Sequence, residues 1–114
     1  MVSTTGTATI VFTDLVGSTV LRSHLGEHAA DELRREHDGL LSDAVVAHRG
    51  RVVKGAGDGI MAAFDSASDA VAAAVAMQQA VHGLGRRRRL ELAIRVGLSS
   101  GDVSWEDEIG RAHD

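Results

Sequence analysis

Two carboxylates stand out because each follows an apolar run and lies close to glycine. The first is Asp14, in Ile10-Val11-Phe12-Thr13-Asp14-Leu15-Val16-Gly17-Ser18-Thr19. This stretch reads as a strand ending in an acid, followed by a small-residue turn where a helix should begin. A carboxylate can hold a metal ion, and the free N–H groups of a helix N-terminus attract phosphate. Together they suggest a metal–nucleotide site. The same residues also read as a buried strand with a Gly-Ser-Thr helix cap, Asp14 being a helix-start acid. The second carboxylate is Asp58, in Arg51-Val52-Val53-Lys54-Gly55-Ala56-Gly57-Asp58-Gly59-Ile60-Met61-Ala62-Ala63-Phe64. Asp-Gly between two apolar runs is a hairpin signal in its own right. An ordinary hairpin needs neither Lys54 nearby nor a third glycine, and glycines let backbone and ligand approach closely. The Asp58 carboxylate then sits at a hairpin tip that can face Asp14.

The elements that must position these groups follow from periodicity. Residues 7–14 are β-rich with little alternation, as in a strand buried on both faces. A short helix is expected over 17–25, broken near Gly26. A longer helix over 28–48 carries Leu33, His37, Leu40, Leu41, Ala44 and Val45 as one apolar stripe and ends at Gly50. The hairpin at 51–64 follows. Ser66 and Asp69 resemble a capping box that opens a helix to about His82. Its inner face is read as Ala67, Ala70, Val71, Ala74 and Val75, with Ala80 or Val81 beyond. Leu90, Leu92, Ile94, Val96 and Leu98 alternate with Glu91, Ala93, Arg95, Gly97 and Ser99, the pattern of a strand with one polar face. A short returning strand is expected at 103–105. The order β-α-α-β-β-α-β predicts an α+β, ferredoxin-like (split βαβ) sheet with helices on one face.

Composition narrows the function classes. With 114 residues there is room for one small domain, and 44% hydrophobic with 25% charged residues is ordinary for a globular chain. The absence of cysteine excludes disulfides and thiolate zinc sites. No apolar run approaches a membrane span and no signal-peptide pattern opens the chain, so a soluble, cytoplasmic domain is expected. A net charge of −4 argues against non-specific nucleic-acid binding. His24 and His28 have a chelating spacing, but Gly26 breaks the helix that would align them. The basic run at 86–89 reads as a solvated loop.

In these motifs the chain resembles the class III nucleotidyl cyclases, the adenylate and guanylate cyclase catalytic domain. Phe12-Thr13-Asp14-Leu15-Val16-Gly17-Ser18-Thr19, then Val53-Lys54-Gly55-Ala56-Gly57-Asp58-Gly59, then Ile94-Arg95-Val96-Gly97-Leu98-Ser99-Ser100-Gly101 carry the likeness, in the family's order. The resemblance implies two divalent ions, Mg²⁺ or Mn²⁺, held between Asp14, Asp58 and the nucleotide triphosphate, with the Leu15 carbonyl as a backbone ligand. It implies a phosphate cradle at Val16, Gly17, Ser18 and Thr19, and a phosphate contact from Arg95. Lys54 falls where adenylate cyclases read adenine. An ammonium donates to adenine N1, whereas guanine presents an N1–H there, so ATP is the expected substrate. Asp107-Glu108-Ile109-Gly110 fits the family's Asp-x-x-Gly, which makes Asp107 the partner of Lys54. The family's next asparagine position falls on Asp114, and its following arginine lies beyond the last residue. The family's C-terminal strands are missing.

The expected organisation is an N-terminal tail at 1–6, a partial nucleotidyl cyclase catalytic domain at 7–105 and a polar C-terminal tail at 106–114. In the family, active sites form between two chains, so the resemblance implies a homodimer or pairing with another cyclase chain. The function it implies is conversion of ATP to 3′,5′-cyclic AMP and pyrophosphate by two-metal catalysis. The alternative is a catalytically inactive cyclase-homology module that binds metal–nucleotide or a partner chain. A diguanylate-cyclase-like enzyme shares the palm, but its Gly-Gly-acid-acid-Phe hairpin is absent.

Overall fold

The computed structural model describes residues 2–107. Its elements run β1 (Val2–Leu15), α1 (Ser18–Leu25), α2 (Glu27–Ala47), β2 (Arg51–Ala56), β3 (Gly59–Phe64), α3 (Ala67–Arg88) and β4 (Ile94–Asp107). This is the expected α+β order. The strands form one antiparallel sheet in the order β2-β3-β1-β4. β1 and β3, central in the sheet, therefore carry the two carboxylate motifs side by side.

Alternation along β1 separates two faces. Val11 and Leu15 join Ile60, Ala62 and Phe64 of β3 and Ile94 of β4 in a core closed by Leu41, Ala44 and Val45 of α2 and by Ala70, Ala73, Met77 and Val81 of α3. Phe12 points the other way. It lies opposite Met61 on one side and Gly97 on the other, and it is 44% exposed. The helices cover one face and leave the Phe12 face open.

Several elements differ from expectation, each for a physical reason. β1 starts at Val2 rather than near residue 7, and its whole length pairs with β4, from Leu15↔Ile94 to Val2↔Asp107. β4 therefore begins at Ile94 instead of Leu90, because past Leu15 the chain turns into α1 and only the Val16 N–H still reaches the preceding residues, at the Ala93 carbonyl. The strand expected at 103–105 is the continuation of β4, and the remainder of the expected C-terminal tail, from 108 onward, lies outside the described residues. α3 runs six residues past His82 and takes in Arg86, Arg87 and Arg88 as its last turn; Arg89 caps it in the left-handed conformation at φ 56°. The basic run is thus helical and not a loop. Cations suit a helix C-terminus, and Arg88 ties α3 to Glu36 of α2 at 2.6 Å. The buried stripe of α3 is Ala70, Ala73, Met77, Val81, Leu84 and Gly85. Val71 and Val75, expected inside, face solvent.

Candidate active site

Asp14 is the penultimate residue of β1 and stands directly opposite Arg95 of β4. Residues opposed in an antiparallel pair share a face, so both project from the open side. Arg95 Nη2 donates to Asp14 Oδ2 at 2.6 Å. Both side chains remain well exposed, so the pair adds little to stability, about 0.2–1 kcal/mol.

Asp58 reaches the same end of the sheet because the β2–β3 hairpin is pinned to β1. The Leu15 N–H donates to the Asp58 carbonyl at 3.0 Å, and the Ile60 N–H donates to Thr13 Oγ1 at 3.0 Å. Two glycines permit this. Gly57 takes φ 55°, a conformation that favours glycine. Gly59 passes so near β1 that a Cβ there would collide with the Thr13 carbonyl.

The hairpin tip brings Asp58 to two polar neighbours. Ser18 Oγ, at the start of α1, donates to Asp58 Oδ2 at 2.8 Å. That hydroxyl is the main reason the Asp58 carboxyl titrates below the ordinary carboxylate range. Partial burial opposes the shift. With the Leu15 N–H on the Asp58 carbonyl, Asp58 lies beside the end of β1 that carries Asp14. α1 opens beside them with Gly17 left-handed at φ 66° and no side-chain cap, so the amides of Ser18 and Thr19 are unsatisfied helix donors. Val16 is anchored by its N–H to the Ala93 carbonyl at 2.8 Å.

The donor set fits a hard divalent cation. Two adjacent carboxylates, one of them held ionised, with the Leu15 backbone alongside, are the oxygen ligands that Mg²⁺ or Mn²⁺ accepts, and such ions keep further positions for water and phosphate. No group of three or more His, Cys, Asp or Glu able to hold a metal exists among the described residues. His24 and His28 lie on different helices, and His28 is paired with Glu32 at 3.2 Å.

One chain does not assemble every expected residue. Lys54 lies on edge strand β2, opposite Met61, and so on the same open face as Phe12 but two strands from β1. It is exposed, and its side chain has no partner among the described residues. Asp107 pairs with Val2 at the far end of β4 from Asp14, about 40 Å away at strand spacing. Asp14, Leu15, Ser18, Asp58 and Arg95 come together; Lys54 and Asp107 stand apart from them. The roles of the Ser18 hydroxyl and of Thr13 Oγ1 were not read from the sequence. Only the non-local β1–hairpin contact reveals them.

The adenylate and guanylate cyclase catalytic domain model matches residues 1–111. The chain belongs to that family. Among curated relatives, it is 36% identical over 102 residues to a Rhizobium meliloti (strain 1021) protein provisionally named adenylate cyclase 3, covering 88% of this chain and 17% of that protein. It is 34% identical over 107 residues to the Mycobacterium tuberculosis protein Rv0891c, covering 92% of this chain and 35% of that one. The adenylyl cyclase CyaB from P. aeruginosa has the same fold, with a TM-score of 0.81 at 24% identity over 91% of this chain and 60% of that one. The guanylyl cyclase Cya2 superimposes with a TM-score of 0.80 at 25% identity, over 91% of this chain and 58% of its own. The cyclase domain described here therefore spans less than two thirds of each of these proteins. No helix among its described residues is long and apolar enough to cross a membrane.

Proposed function

We propose that this cyclase domain binds ATP with Mg²⁺ or Mn²⁺ and forms 3′,5′-cyclic AMP and pyrophosphate at a site shared by two chains. The observation that carries the reading is that the hairpin tip is pinned with Asp58 beside the Asp14-Leu15 end of β1, next to the uncapped start of α1. When bound, two divalent ions would acidify the ribose 3′-hydroxyl and neutralise charge on the phosphates.

Asp14 and Asp58 would hold the ions, with the Leu15 carbonyl as a further oxygen ligand. Ser18 keeps Asp58 ionised and fixes its orientation through the 2.8 Å hydrogen bond. The free amides of Ser18 and Thr19 receive the phosphates at the helix N-terminus, with Gly17 shaping the turn and Val16 fixing it through its N–H to the Ala93 carbonyl. Arg95, whose pairing with Asp14 is exposed on both sides, would be free to turn to a phosphate oxygen once Asp14 served as a cation ligand. The 3′-oxygen then bonds to the α-phosphorus in line as the bond to pyrophosphate breaks.

Lys54 reads the adenine ring from the opposite chain. Asp107 takes no part, since the strand register puts it ten residues along β4 from Gly97, which shares the level of Lys54, or about 33 Å away. The distance of Lys54 from Asp14 within one chain supports a shared site, and so does the open sheet face bearing Phe12, Ile10 and Met61. A two-fold pairing of such faces would create two equivalent sites.

The test is cyclic AMP formation from Mn²⁺–ATP across a range of protein concentration. Product that rises faster than linearly, and is lost in Asp14→Ala and Asp58→Ala, is the expected result. Metal-dependent nucleotide binding without cyclic product would instead assign the domain to a binding role.

A further inference from the structure

Asp58 stands in a hairpin tip between β2, which ends at Ala56, and β3, which starts at Gly59. Glycine on both sides leaves the turn itself little power to fix its direction. The aim must come from β1. The paired register of β1 and β3 runs Thr9↔Phe64, Ile10↔Ala63, Val11↔Ala62 and Phe12↔Met61, and ends there. Continued one step, it would set Thr13 against Ile60 with the Ile60 N–H directed at the Thr13 carbonyl. That N–H goes to the Thr13 hydroxyl, at 3.0 Å and buried. Thr13 also touches the tip a second time, because its carbonyl abuts Gly59 and leaves no room there for a Cβ.

The side of the sheet on which the hydroxyl lies decides its effect. Side chains alternate along a strand, so Thr13 shares the helix side with the core residues Val11 and Leu15, and it is itself buried. A ladder carbonyl lies in the plane of the sheet, whereas a hydroxyl on the helix side lies above it. α1 is on that side, with Leu21 packed against the core. Ser18, at the start of α1, donates to Asp58 Oδ2 at 2.8 Å.

We propose that Thr13 is a positioning residue for the carboxylate pair: its hydroxyl draws the hairpin tip toward α1, within reach of Ser18, and so sets where Asp58 stands relative to Asp14. The consequence for metal rests on the two-carboxylate reading above; the placement of the tip does not. Thr13 acts through Asp58 and holds no ligand itself.

Thr13→Val keeps the side-chain volume and removes the acceptor, while Thr13→Ser keeps the acceptor. Thr13→Ala is a second variant without it. Val81→Ala loosens the core from α3, away from the hairpin. Mn²⁺ binding to each full chain is measured by electron paramagnetic resonance, the Ser18 amide is followed in ¹⁵N spectra, and urea midpoints report folding. Thr13→Val and Thr13→Ala should weaken Mn²⁺ about tenfold, the low end of the roughly 10–100-fold that groups orienting a metal ligand are worth. Both should shift the Ser18 amide. Thr13→Ser should return affinity and amide to near the parent, and Val81→Ala should move neither although it also destabilises. Parent-like affinity or an unmoved Ser18 amide in the variants without a hydroxyl, or equal losses in Thr13→Ser or Val81→Ala, would overturn the assignment. A parent chain that holds no Mn²⁺ would remove the metal reading instead. The Ser18 amide then decides the role of Thr13 alone: moved without the hydroxyl and restored by serine supports it, and unmoved refutes it.

Discussion

Gly59→Ala offers the sharpest test of how the site is built. An added Cβ would overlap the Thr13 carbonyl oxygen and lie 2.7 Å from the Thr13 carbonyl carbon. Both are backbone atoms of a central strand and cannot swing aside. The hairpin must move instead, and it is held by the Leu15 N–H to Asp58 carbonyl and Ile60 N–H to Thr13 Oγ1 bonds, each 3.0 Å. Breaking the two forfeits about 0.5–1.5 kcal/mol each and strands a buried N–H at about 1–3 kcal/mol. The sum is roughly 2–6 kcal/mol, a large part of the ~5–15 kcal/mol that keeps a domain folded. Gly57→Ala is the control. Nothing lies within 4 Å of its Cβ position, so only the left-handed strain at φ 55° remains, about 1–2 kcal/mol. Urea denaturation compares them: Gly59→Ala should lower the midpoint by about 1–3 M, and Gly57→Ala by about 0.5–1 M. A midpoint for Gly59→Ala equal to or above that of Gly57→Ala would refute the close-approach argument.

Asp58 titrates below its ordinary value in the folded chain, so its contribution to stability is complete above the unfolded carboxylate pKa and fades as pH falls through the folded value. Ser18→Ala, which removes the main cause, should cost about 0.5–1 kcal/mol at neutral pH and progressively less as pH falls below the ordinary carboxylate range; urea titrations at pH 7 and at stepwise lower pH check this. Arg95→Ala should leave the urea midpoint within about 0.5 M of the parent, as an exposed pair allows, while weakening ATP binding measured by calorimetry. Lys54→Glu should move the ratio of ATP to GTP affinity toward GTP, since an acceptor replaces the donor at the base. An unchanged ratio in equilibrium dialysis would remove Lys54 from base recognition.

What could be read in advance depended on how local its cause was. The Gly57-Asp58-Gly59 turn and the Ser66 cap are short-range chemistry, and both elements stand where that chemistry puts them; Ser66 Oγ accepts from the Asp69 N–H at 3.2 Å. The face of α3 was not legible, because alanines at Ala70, Ala72, Ala73, Ala74 and Ala76 spread evenly round the helix and leave no apolar period. The two valines then suggested a stripe one position away from the buried one. The extent of β4 depended on its partner: β1 reaches from Val2 to Leu15, and β4 is a strand only where β1 lies alongside. Acid positions were readable from the strand ends. Their contacts were not, since Arg95 meets Asp14 across 81 residues and Ser18 meets Asp58 across 40. His37 passed as one member of an apolar stripe, and its unpartnered nitrogen became visible only with α1 and the hairpin in place.

The central claim is that Asp14 and Asp58 form one metal–nucleotide site. Mn²⁺ binding in the presence of a non-hydrolysable ATP analogue, measured by electron paramagnetic resonance, tests it in the parent chain, Asp14→Asn, Asp58→Asn and the double variant. Two ligands of one site are strongly coupled, so each single change should remove most of the binding and the double should be little worse than either. Losses that simply add, or binding that survives both substitutions, would contradict the account.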